Sequence, residues 1–210
     1  MPHDTSTNYG VAEGGAKVVL DGTKTILLVG VGGQGTILAG QLLALVAADA
    51  GLDVKVSEIH GMSQRGGSVS TVVRVGEKVE SMVCDPGCAD IVVAFEAVEA
   101  LRAQQFLREG GKLFVNDEQI VPVSVHVGNF TMPADAEARL NAIGAVRIDA
   151  GEIARAAGSP KSTNVVLVGA LSTALPFSVE EWQDAIRRRV PPKTIDANLE
   201  AFAKGRAAVA

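Results

Sequence analysis

The sequence predicts an α/β fold, and three observations carry that expectation. The run "TKTILLVGV" (23–31) is short, apolar and closed by glycine, which is how a buried parallel strand reads. Gly30, Gly32 and Gly35 follow with G-x-G-x-x-G spacing and lead into a helix pattern and a second strand, the βαβ context that this spacing requires. From Ser162 onward the pattern is mostly helical. Together they predict a Rossmann-like, mostly parallel sheet with a β-hairpin insertion and a helical C-terminal region. A single domain is expected over 23–210, behind a flexible tail of small and polar residues over 1–22.

The elements follow in order. "TILAGQLLALVAADAG" (36–51) is apolar all round and stops at Gly51, so it predicts a buried helix; "DVKVSEI" (53–59) is the second strand. After the loop "HGMSQRGGSV" comes "SVSTVVRVGEKVESMV" (68–83), two alternating runs that predict a hairpin turning at Gly76-Glu77. "ADIVVAF" (89–95) reads as a buried strand, "EAVEALRAQQFLREGG" (96–111) as a helix ended by glycine, and "KLFVND" (112–117) as a strand. Residues 118–133 carry no clear pattern. A short helix over 134–144, the strand "AVRIDA" and the helix "GEIARAAG" come next. Three C-terminal helices complete the chain, the second opened by a capping box at Ser178 and Glu181. "RRRVPPK" reads as a solvated helix end whose cations suit the dipole.

Composition narrows the function. The chain has 210 residues, 47% of them apolar and only 4% aromatic, which suits one tightly packed α/β core. Its net charge of −5 offers no broad basic face for nucleic acid. The most apolar stretch, 165–177, is too short for a membrane span, and the N-terminal residues do not form a secretory signal, so a cytoplasmic protein is expected. The two cysteines, Cys84 and Cys88, cannot supply the four thiolates of an iron–sulfur cluster, and no histidine stands at a zinc-site spacing. A disulfide is disfavoured in the cytoplasm, so the pair reads as small residues flanking an Asp-Pro-Gly turn.

Two loops carry the candidate chemistry. In the first, Gly30, Gly32, Gly33, Gln34 and Gly35 either bind an anion through backbone N–H groups at a helix start or simply allow close strand–helix packing. The ribose-binding acid of a dinucleotide site would be Glu58, although it lies later than the usual spacing. In the second, His60, Gly61, Ser63, Gln64, Arg65, Gly66 and Gly67 form a polar, glycine-rich loop, a ligand site or a docking surface. Arg65 suits bidentate capture of a phosphate or carboxylate; His60 offers either a proton switch, by the ordinary chemistry of an imidazole, or the structural role that a lone histidine more often has. Before the first C-terminal helix, Lys161, Ser162, Thr163 and Asn164 either cap it or, through Asn164 and Lys161, face the glycine loop.

"GVGGQGTILAGQLL", "SEIHGMSQRGGSVSTVVRVG", "KSTNVVLVGAL" and "VPPKTIDANLEAFAKG" together resemble the gamma-type subunits of 2-oxoacid:ferredoxin oxidoreductases, in the same order over about residues 24–205. Within that family the likeness is to the beta subunits of the indolepyruvate-type enzymes. The resemblance implies a partner: a large subunit that carries thiamine diphosphate and iron–sulfur clusters, decarboxylates a 2-oxoacid, passes electrons to ferredoxin and hands the acyl group to coenzyme A. The small subunit would bind no flavin or NAD, and its two glycine loops would face the shared cleft. The substrate implied is an aryl pyruvate, with pyruvate, 2-oxoisovalerate and phenylglyoxylate as alternatives. From the residues alone, an autonomous NAD-dependent oxidoreductase and a pure docking module also stand. Arg65→Ala is expected to weaken coenzyme A use or subunit association; unchanged kinetics and unchanged association would remove Arg65 from the site.

Overall fold

The computed structural model describes residues 18–60, 67–118 and 134–210. Six strands form one sheet: β1 (Lys24–Val31), β2 (Asp53–His60), β3 (Ser68–Gly76), β4 (Ala89–Ala94), β5 (Leu107–Asn116) and β6 (Val146–Ile148), in the spatial order β2-β3-β1-β4-β5-β6. β1, β4, β5 and β6 are mutually parallel. β3 runs antiparallel to both its neighbours, β1 and β2, so five strands point one way. The mostly parallel α/β sheet expected from the apolar runs is therefore present, with the antiparallel strand inside it rather than appended.

That strand corrects the hairpin. The antiparallel pair is β2 with β3, in register from Asp53↔Gly76 to His60↔Val69. The turn at Gly76-Glu77 ends β3, and residues 77–88 form no strand. The reason is hydrogen-bonding capacity. A strand has two edges, and β1 and β2 already occupy both edges of β3, so the alternating run that follows cannot pair with β3. It crosses the sheet as a strap instead. Asp53 accepts from the Val79 N–H at 2.8 Å, and Arg74 donates to the carbonyls of Ser81 and Val83 at 3.0 and 3.2 Å.

Seven α-helices flank the sheet among the described residues: α1 (Thr36–Asp49), α2 (Ala97–Ala103), α3 (Ala136–Ala142), α4 (Ala150–Ala156), α5 (Thr163–Ser172), α6 (Val179–Arg189) and α7 (Ile195–Ala207). One face packs Ile26, Leu28 and Val73 against α1 and the C-terminal helices, with Trp182 fully buried between Phe177 and Phe202. On the other face Val92, Leu113 and Val115 pack against α2 and α3. Leu20 is buried in the first cluster, so the core already includes residues ahead of 23. Residues 1–17 lie outside the described residues.

Three further expectations meet the structure. The helix expected over 96–111 ends at Ala103, and a 3-10 turn (Gln104–Phe106) leads straight into β5. The two glycines at its end, Gly110 and Gly111, form an irregularity in the β4–β5 ladder, where the register shifts between Ala89 and Ile91. The capping box of α6 forms as expected, Glu181 N–H to Ser178 Oγ at 3.2 Å and Ser178 N–H to Glu181 at 2.6 Å. The arginine end of α6 is more than solvated, because Arg188 pairs with Asp49 and Arg189 with Gln41, both on α1.

The close approach of α5 and α7 requires glycine on both sides. A Cβ at Gly169 would overlap the Phe202 carbonyl oxygen, and one at Gly205 the Val166 carbonyl oxygen. Gly205→Ala is therefore expected to destabilise the chain by about 2–3 kcal/mol through overpacking, a fall in Tm of roughly 5–10 °C on the usual scaling for a chain this size. Gly151→Ala on α4, with no neighbour closer than 3.7 Å to the added atom, is the control. It should be neutral or stabilising by up to about 1 kcal/mol. Thermal unfolding of both variants measures the difference.

Candidate functional site

All the parallel strands end on one rim of the sheet, where open α/β folds place their ligands. The first glycine loop leaves that rim from β1. Val31 N–H donates to Gln34 Oε1 at 2.7 Å, and Gln34 N–H donates to the Val31 carbonyl at 3.1 Å, so the loop closes on itself. Gln34 Nε2 then donates to the Phe95 carbonyl at the tip of β4, at 3.2 Å. Gly30 has room only for hydrogen, since a Cβ there would come within 2.7 Å of Gln34 Oε1 and 2.9 Å of Phe95 Cβ. Gly33, by contrast, is exposed, with nothing within 4 Å of an added Cβ. The loop is thus tied down along one side and open on the other.

Gly35 opens α1 in the left-handed region (φ 83°) with no side-chain cap on the helix. The helix start thus keeps backbone N–H groups free of a capping side chain, the arrangement that favours an anion. Asn164 packs directly over Gly35 and donates to its carbonyl at 3.4 Å; a Cβ at Gly35 would stand 2.5 Å from Asn164 Nδ2. The structure therefore brings Asn164 to the glycine loop. Lys161 stands exposed on the 3-10 turn Pro160–Ser162 that precedes α5. Capping by Ser162 or Thr163, the alternative reading of this stretch, is not what forms. Ser162 Oγ donates to Ser159 Oγ at 2.7 Å and Thr163 Oγ1 to the Pro160 carbonyl at 3.3 Å.

The second loop joins the same rim. Gly32 N–H donates to the Gly67 carbonyl at 2.9 Å, fastening the start of β3 to the first loop. Ser68 Oγ donates to the buried carboxylate of Glu99 at 2.5 Å, and Glu99 in turn pairs with Arg102. His60 is the last residue of β2, so the loop departs from and returns to this rim. Gly61, Ser63, Gln64, Arg65 and Gly66 lie outside the described residues.

The tips of β4 and β5 supply functional groups that the sequence reading passed over. Asn116 is buried; its Nδ2 donates to the Phe95 carbonyl at 3.2 Å and to Glu118 at 3.0 Å, and its Oδ1 accepts from the Ala150 N–H at 3.0 Å. Glu96 is buried and caps α2, accepting from the N–H groups of Val98 and Glu99. Their signal was available: each polar residue follows an apolar strand at its C-terminal end, in "VVAFE" and "LFVND". Among the described residues no group of three or more His, Cys, Asp and Glu could hold a metal ion. No described helix is long and apolar enough to cross a membrane.

Glu58 does not take the ribose-binding position. It pairs with Thr71 on β3, which pairs with Leu28 on β1, so a whole strand separates Glu58 from the glycine loop. Two strand spacings amount to about 10 Å. A dinucleotide site needs its acid on the strand beside β1, and here β3 occupies that place.

Comparison with known proteins decides the family. The sequence matches the pyruvate ferredoxin/flavodoxin oxidoreductase family over residues 25–208. The chain belongs to this family. It is a subunit of a 2-oxoacid:ferredoxin oxidoreductase. It is 45% identical over 187 residues to the indolepyruvate oxidoreductase subunit IorB of Thermococcus kodakarensis, a match covering 86% of this chain and 93% of that one. It is 29% identical over 185 residues to the ketoisovalerate oxidoreductase subunit VorA of Methanothermobacter marburgensis, covering 86% of this chain but 35% of that protein. In structure it is similar to the gamma subunit of keto/oxoacid ferredoxin oxidoreductase from Geobacter sulfurreducens. The TM-score there is 0.66 at 25% identity, over 89% of this chain and 98% of the other.

Within this oxidoreductase subunit, the tether of the first loop is open to test. Gln34→Ala removes two hydrogen bonds and is expected to cost about 2 kcal/mol. Asn116→Ala strips partners from a buried carbonyl and a buried N–H and should cost more, about 3–4 kcal/mol. Urea unfolding of the two variants checks both the direction and the order.

Proposed function

We propose that this chain is the small, gamma-type subunit of an indolepyruvate ferredoxin oxidoreductase. Residues 23–210 act as one domain, inactive alone and working in the cytoplasm. The observation that carries the substrate assignment is the 45% identity to an indolepyruvate oxidoreductase subunit of nearly equal length. The overall reaction is oxidative decarboxylation of an aryl pyruvate with coenzyme A to an aryl-acetyl-CoA, carbon dioxide and reduced ferredoxin. A large partner subunit brings thiamine diphosphate, which supports the decarboxylation, and iron–sulfur clusters, which carry the electrons. Two cysteines on this chain are too few for a cluster of four thiolates, so the electron path belongs to the partner.

This chain's own residues hold and orient. The open side of the loop at Gly33 and the uncapped start of α1 suit a phosphate of coenzyme A. Gln34 and Asn164 keep that loop in shape from either side, through Phe95 and Gly35. His60, Gly61, Ser63, Gln64, Arg65, Gly66 and Gly67 face the cleft shared with the large subunit, with Arg65 as the clamp for a phosphate or carboxylate. VorA supports the pairing: a protein about three times the length of the matched region joins a domain like this one to further chain.

The test is an anaerobic pull-down of the tagged chain from its own host. The expected result is recovery of a large brown partner that reduces a viologen dye with indolepyruvate and coenzyme A, faster than with pyruvate or 2-oxoisovalerate. Recovery of the chain alone, binding NAD(H) tightly, would falsify the subunit reading. Equal or higher rates with another 2-oxoacid would overturn the substrate.

A further inference from the structure

The strap over residues 77–88 ends in a turn that sets its two cysteines against each other. Asp85, Pro86, Gly87 and Cys88 form a β-turn closed by Cys88 N–H to the Asp85 carbonyl at 3.1 Å. Proline fixes the first central position and Gly87, at φ 74°, takes the left-handed second one, the residue pattern of a type II turn. The turn is anchored from both sides. Gly87 N–H donates to the Gln105 carbonyl at 2.9 Å, and Arg74 holds the carbonyls of Ser81 and Val83 on the incoming arm. Cys84, just before the turn, and Cys88, its last residue, therefore lie on facing arms with their Sγ atoms 3.0 Å apart.

Beside them the sheet carries a groove. The face of β1, β3 and β2 opposite α1 carries an open apolar groove of about 370 Å³, walled by Leu27, Val29, Val72 and Phe106, with Cys84 in its lining. Both thiols are half-buried and neither is in a disulfide. They are the only two thiols of the chain.

We propose that Cys84 and Cys88 are a dithiol site for thiol–disulfide exchange, taking low-molecular-weight disulfides that enter along the groove. The sulfurs need to close by about 1 Å to reach bonding distance, within an arm that the turn already positions. In the exchange one cysteine thiolate attacks the external disulfide, forms a mixed disulfide and releases one external thiolate. The second cysteine gives up its proton and attacks the protein sulfur of that mixed disulfide, releasing the other external thiolate. The two protein thiols are oxidised to one disulfide, the external disulfide is reduced to two thiols, and the two protons leave with them. Burial first, and contact with Cys88 next, push the Cys84 thiol up to about 12. The site stands on this geometry alone and does not depend on the substrate or partner proposed above.

The test uses the full chain, reduced, freed of reductant and incubated anaerobically with oxidised glutathione, then examined by thiol titration and intact mass. The expected result is loss of both thiols, a mass lower by two hydrogen atoms, no retained glutathione, and recovery of both thiols with dithiothreitol. A persistent glutathione adduct, disulfide-linked dimers, or two thiols still titratable at equilibrium would each overturn the proposal.

Discussion

The Phe95 carbonyl is the point through which the rim of the sheet is held together. It accepts from Gln34 on one side and Asn116 on the other, both at 3.2 Å. Gln34 is also the internal brace of the glycine loop, and Asn116 also receives the Ala150 N–H that begins α4. One acceptor thus couples the tips of β1, β4 and β5 to a helix start more than fifty residues further along the chain. A carbonyl has two lone pairs, and in a buried setting both are best filled. Removing either amide therefore leaves a buried polar group short of a partner as well as losing a contact.

The position of β3 shapes what the rim can do. In a plain doubly wound sheet the strand after the first helix lies beside β1 and carries the acid that binds a ribose. Here β3 occupies that place, antiparallel, and β2 with Glu58 is pushed to the edge. The glycine loop keeps its open helix start but loses the second half of a dinucleotide site. The same insertion brings the second loop to the rim, where Gly32 fastens it at Gly67.

The same side of the sheet also carries an apolar groove. α2 and α3 cover β4 and β5, whereas the side chains of Leu27, Val29 and Val72 line an open groove. Because β3 has both edges taken, the strap that follows it crosses this face as loop, with Met82 and Val83 exposed. That route carries Cys84 and Cys88 to the groove.

Local pattern alone was enough for much of this protein. Apolar runs closed by glycine mark β1, β4 and the later strands, because a strand buried on both faces tolerates little polarity. The capping box of α6 was legible because it is a contact between residues three apart. The family is legible too, in glycines whose place in the chain order is set by backbone geometry. What the sequence could not determine are the contacts made across many residues. Two alternating runs read as a hairpin at Gly76, yet the second edge of β3 is taken by β2 and not by the run that follows it. Glycines at 110 and 111 look like a helix end and prove to be a ladder irregularity, since Ala89 is the neighbour that matters. Asn164 meets Gly35 across 129 residues, and Gln34 meets Phe95 across 61. Even Cys84 and Cys88, four residues apart, read as spacers until the turn and its anchor at Gln105 set their sulfurs face to face. Element type follows from local sequence because its energetics are local, whereas the partners of a buried amide or an unpaired edge are decided only when the whole core has closed around them.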